Sequence, residues 1–102
     1  MRFKAIIDLL EKKLGVKLKV LERNECELFV FNYEDTVILV GCSEGSYTEW
    51  KYCKIIASEK LGTSKWSCLM LEYNPWGYYC FGKSIDEVTS KILNKLNYVV
   101  QS

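Results

Sequence analysis

Phe3, Ile6, Ile7, Leu10 and Leu14 recur at helical spacing, with Asp8, Glu11, Lys12 and Lys13 between them and Gly15 immediately after. This stripe predicts an amphipathic helix over residues 2–14, with Gly15 just beyond its C-terminus. At Val16 the period changes to two: Val16, Leu18 and Val20 alternate with Lys17 and Lys19. A strand with one wet face, near a sheet edge, is expected there. Cys26 to Tyr33 contains the continuous apolar run Leu28-Phe29-Val30-Phe31, as a central strand covered on both faces would. Tyr33-Glu34-Asp35-Thr36 is a turn candidate, and Val37 to Val40 is a third strand.

Ser46-Tyr47-Thr48-Glu49 has the form of a capping box, ahead of Trp50, Cys53, Ile56, Ala57 and Leu61 at spacings of three, four and one. A second helix over 46–61 is predicted from it. Lys65 to Tyr73 returns to strand character. Asn74-Pro75-Trp76-Gly77 then offers type I turn residues, so that Tyr78 to Phe81 becomes the return strand of a hairpin. Ser84-Ile85-Asp86-Glu87 is a second capping box, followed by Ile85, Val88, Ile92, Leu96 and Val99 on one helical face over 84–98. The expected fold is therefore α+β: one domain over 1–102, a mainly antiparallel five-stranded sheet and three helices, in the order α-β-β-β-α-β-β-α.

Composition narrows the chemistry. Of the 102 residues 49% are hydrophobic and 26% charged, a globular balance, and no apolar run approaches the length of a membrane span. A soluble cytoplasmic protein with no membrane association is expected. Histidine is absent, which removes the commonest general base and metal ligand and disfavours most hydrolytic mechanisms. Charge is segregated: residues 24–49 carry six acids and no Lys or Arg, whereas 1–23 carry seven Lys/Arg against three acids. Glu25, Glu27, Glu34, Asp35, Glu44 and Glu49 lack the order of a calcium loop. The five cysteines contain no C-x-x-C pair and sit in apolar runs. They are expected to be reduced, buried thiols rather than zinc ligands or disulfides.

Aromatic residues make up 14% of the chain, and Tyr73, Trp76, Tyr78 and Tyr79 crowd one predicted turn. Tyrosine and tryptophan are favoured anchors of binding surfaces, and a large ring at a wet turn tip gains little for an isolated monomer. Trp76 is accordingly expected to be at least partly exposed. Together with Glu34 and Asp35, these aromatics suggest a non-catalytic protein-binding module with no cofactor. Its partner would be another protein or a second copy in a homodimer. An adaptor, a regulator, or an inhibitor encoded by a mobile element, such as an anti-CRISPR protein, would fit. Two alternatives stand beside it. One is nucleic-acid binding by the aromatic hairpin and the basic residues Arg2 to Arg23, although Gly77 to Phe81 lacks the leading basic residue of RNA-recognition strands. The other is a histidine-free, ribonuclease-like enzyme using Glu72, Tyr78, Tyr79 and Lys83.

Overall fold

The computed structural model describes residues 3–23, 26–44, 51–61 and 66–101. Helix α1, Lys4–Leu14, buries Ile6, Ile7 and Leu10 and stops at Gly15, whose left-handed backbone returns its N–H to the Glu11 carbonyl at 2.9 Å. Its first turn is held from across the chain, the Phe3 N–H donating to Glu27 Oε2 at 3.3 Å. The alternation of Val16, Leu18 and Val20 against exposed lysines is present, but the paired strand β1 is shorter and later than expected, Lys19–Glu22.

Strands β2 (Glu27–Tyr33) and β3 (Thr36–Glu44) form a hairpin closed by the two-residue turn Glu34-Asp35. Both turn residues have positive φ, 47° and 64°, the backbone that a two-residue hairpin with right-handed strand twist requires. Strand β4 follows at Lys51–Ala57, then a 3-10 turn at Ser58–Leu61, helix α2 at Cys68–Tyr73, strand β5 at Tyr78–Gly82 and helix α3 at Ile85–Gln101. All strands pair antiparallel with their sequence neighbours, in the order β1-β2-β3-β4-β5, so β1 and β5 are the two edges.

The α+β class, the five-stranded antiparallel sheet and the three helices agree with the sequence expectation. The order of elements does not: it is α-β-β-β-β-α-β-α. Residues 51–57 form a strand and 68–73 a helix, the reverse of the periodicity reading. Residues 46–50, including the expected cap Ser46, lie outside the described residues. The reason for the exchange is burial. Cys53 to Ala57 are buried on both faces of the sheet, so β4 has no period-two signature, and chance three- and four-residue spacings remain. Helix α2 is only six residues long, and Ser67 caps it by accepting the Met70 N–H at 3.3 Å. Ser84 behaves as expected, its Oγ accepting the Glu87 N–H at 3.1 Å at the start of α3.

The sheet has helices on both faces. Phe29, Phe31, Ile38, Val40, Cys53, Ile55 and Cys80 face α1 and α3, where they meet Phe3, Ile6, Leu10, Val88, Ile92 and Leu96. The opposite face is smaller: Leu28, Leu39 and Ile56 are covered by Cys68 and Leu71 of α2. Four cysteines are paired, which corrects the expectation of five reduced thiols. Cys26 is bonded to Cys68 and Cys42 to Cys53, while Cys80 is an unpaired buried thiol. Both pairs depend on β4 and α2: Cys42 meets Cys53 only if β4 is the partner strand of β3, and Cys68 meets Cys26 only if α2 lies over β2.

Candidate protein-binding site around strand β5

The turn before β5 is not a hairpin tip. Asn74-Pro75-Trp76-Gly77 joins α2 to β5, with Asn74 Oδ1 accepting the Trp76 N–H at 2.8 Å. Gly77 has φ 94°, and a Cβ there would stand 2.6 Å from the Ile55 carbonyl oxygen. The turn therefore lies against β4 and presents Trp76 outward. Trp76 is 56% exposed, with Lys60 Nζ 5.1 Å from its ring centroid, and Tyr73 at the end of α2 is 83% exposed.

Strand alternation divides the expected aromatic pair. Tyr78 is half-buried on the α3 face, 6.3 Å from the Tyr98 ring. Tyr79 points to the opposite face, where it stacks on Phe81 at 5.8 Å and meets Tyr52 of β4 at 6.4 Å. Glu34 and Asp35 lie at the β2–β3 turn, on strands separated from β5 by β4. Their positions are explained by turn geometry, and Glu27 is buried as the partner of Phe3 rather than displayed. The acidic and aromatic residues are thus not assembled into one patch.

Tyr52, Lys54, Phe81, Lys95 and Tyr98 join the site although the sequence did not single them out. Lys54 is buried; its Nζ donates to the Asn74 carbonyl and stands 5.2 Å from the Tyr79 ring centroid. Burial pushes its pKa below the ordinary lysine value, and Glu72 opposes the shift. Tyr52 donates its hydroxyl to Glu72 Oε1 at 3.4 Å, and Tyr79 donates to the Glu72 carbonyl at 3.3 Å. Burial first, then the charge of Glu72, raises the Tyr79 pKa. Of the four residues considered for enzymatic chemistry, Glu72 and Tyr79 come together, whereas Tyr78 lies on the other face of β5.

On the α3 side a groove of about 510 Å³ is lined by Tyr79, Lys91, Asn94, Lys95 and Tyr98. Lys95 Nζ sits 5.5 Å from the Tyr78 ring centroid and 5.2 Å from that of Tyr98, between two aromatic faces. Lys91 donates to the Phe81 carbonyl at 2.6 Å. Compared with protein families, with curated proteins and with solved structures, the chain has no significant match.

Proposed function

We propose that the chain is a small non-catalytic protein-binding module, an adaptor, regulator or inhibitor, that engages a partner protein through the aromatic surface around β5. One observation carries this. Of the seven large hydrophobic residues exposed among the described residues, the five aromatics, Tyr73, Trp76, Tyr79, Phe81 and Tyr98, lie on β5 or on the elements beside it. Exposed aromatics gathered around one sheet edge are costly for a monomer and are the usual anchors of an interface. Glu34 and Asp35, at the β2–β3 turn, take no part in that contact.

Nucleic-acid binding is less favoured, because it joins the aromatic strand to the basic N-terminal residues, and β1 with Lys19 lies at the opposite sheet edge from β5. None of the described helices is long and apolar enough to cross a membrane. Two disulfides suit an oxidising compartment better than the cytoplasm.

The test compares baits. Proteins retained by the wild-type chain should be lost from Trp76→Ala and Tyr79→Ala, with the contact weakened by about 2 kcal/mol and folding stability changed by less than about 1 kcal/mol. Retention of the same proteins by both variants would count against an aromatic interface. Retention that disappears steeply with salt would favour nucleic acid instead.

A further inference from the structure

We infer that the open edge of β5, with the α3 flank beside it, accepts an extended acidic peptide of a partner protein as an added strand. This rests on the protein-binding role proposed above and gives the partner a chemistry.

The register shows which backbone groups are available. Cys42 and Cys53 stand opposite each other with Cα atoms 4.1 Å apart, the close spacing of a non-hydrogen-bonded antiparallel pair. Cys53 therefore turns its N–H and C=O toward β5, where it is opposite Cys80. Tyr78, Cys80 and Gly82 bond back to β4, and the intervening Tyr79 and Phe81 turn their backbone groups outward. The bond from Lys91 to the Phe81 carbonyl agrees with that orientation. Among the described residues no hydrogen bond reaches the N–H or C=O of Tyr79 or the N–H of Phe81. An edge with two donors and one acceptor in alternation is a template for one more strand.

The flank supplies the charge. Lys91, Asn94, Lys95 and Tyr98 recur at helical spacing along the side of α3 that borders this edge, and they line the groove with Tyr79. Lys91 is partly satisfied by Glu87 at 3.4 Å. Lys95 has no carboxylate within ion-pair distance among the described residues, and its position is fixed by the Tyr78 and Tyr98 rings. A strand laid on β5 would turn alternate side chains toward α3, and carboxylates at those positions would meet Lys95 and Lys91. A second copy of β5 is a poor occupant: Tyr78 to Gly82 contains no acid, and self-pairing would bring the lysines of two α3 flanks together.

The probe is an acetylated, amidated peptide Thr-Glu-Val-Glu-Val-Glu-Thr, titrated into isotope-labelled protein, with the corresponding Thr-Lys-Val-Lys-Val-Lys-Thr peptide as its counterpart. The expected result is amide shifts and slowed hydrogen exchange at Tyr79 and Phe81, with the acidic peptide preferred at least about tenfold. Lys95→Glu should reverse the preference. Phe81→Pro removes the outward N–H together with the ring, whereas Phe81→Ala removes the ring alone; the proline variant should abolish binding and the alanine variant should retain it, with the spectrum of the core kept in both. If the proline variant fails to fold, a peptide N-methylated at alternate residues makes the same test from the other side. Equal binding of both peptides, no binding, indifference to Lys95→Glu and to N-methylation, or sedimentation as a β5-paired dimer would each overturn the inference. Shifts confined to Trp76 and Tyr52 would also overturn it, while leaving the protein-binding role standing at a different address.

Discussion

Cys26, immediately before β2, is bonded to Cys68, the first residue of α2, across a sequence separation of 42. The bond ties a six-residue helix, too short to persist alone, to the smaller face of the sheet. Closing a loop of that length contributes up to about 4 kcal/mol through the entropy of the unfolded chain. Replacing both cysteines by alanine should lower stability toward that limit in denaturant unfolding, and hydrogen exchange should quicken in 68–73 before it does in the strands. Alkylation of the unfolded, unreduced protein should modify Cys80 alone, rising to all five cysteines after reduction.

Cys80 supplies a second prediction. Its thiol is buried against α3, and desolvation pushes its pKa from 9.0 up to about 11, with Lys95 and Lys91 acting weakly in the opposite sense. A raised folded-state value means that the folded protein holds the proton more tightly than the unfolded chain does. The resulting stability is fully present below pH 9.0 and is lost as pH rises toward 11. Wild type should therefore lose about 2 kcal/mol more than Cys80→Ala between those limits in urea titrations. Identical pH slopes would show that Cys80 ionises as easily when folded.

The start of α3 is secured on both sides. Glu87 donates its N–H to Ser84 Oγ, and its carboxylate accepts the Lys83 N–H at 3.1 Å. Ser84→Ala should cost about 1 kcal/mol, read as a shift in the denaturation midpoint. The Lys83 N–H, followed by the pull of Lys91, holds the Glu87 pKa below the ordinary carboxylate value. That support is present above the ordinary value and is lost as pH falls through the depressed one. Glu87→Gln should consequently flatten the acid limb of the stability profile.

Gly77 cannot be replaced without strain. Its φ of 94° is costly for any L side chain, and the Ile55 carbonyl occupies the place of a Cβ. Gly77→Ala should destabilise by about 1–3 kcal/mol and should displace the Trp76 turn. Circular dichroism melts and the fluorescence of Trp76 would report both effects.

Amphipathic patterning exposed the two long helices because each has one wet face: the alternation of Ile6, Leu10 and Leu14 with lysines, and of Val88, Ile92 and Leu96 with polar residues, is a direct print of packing. In β4 the same physics removes the signal, since Cys53, Lys54, Ile55, Ile56 and Ala57 are all buried. Helix α2 gives period 3.6 no room to appear. Ser67 before Leu69, Met70, Leu71 and Glu72 was its available mark, a cap ahead of good helix formers. Exposure of Trp76 was legible from turn chemistry, and the opposite facing of Tyr78 and Tyr79 from strand alternation. Tyr52, Lys95 and Tyr98 become neighbours of these only through the β4–β5 pairing and the lie of α3, which no local spacing records.

Helices α1 and α3 come from the two ends of the described chain, yet they pack against each other and against one sheet face. The strands between them can assemble hairpin by hairpin, each onto its predecessor, as the chain leaves the ribosome. Without α3 the meander would carry Cys53 and Ile55 of β4 and Cys80 of β5 uncovered on that face. A chain truncated before α3 would thus keep the strand order of the sheet while lacking one of the two helices that cover its larger core face. Such truncated products, rather than the folded chain, would display the bare apolar surface that chaperones recognise.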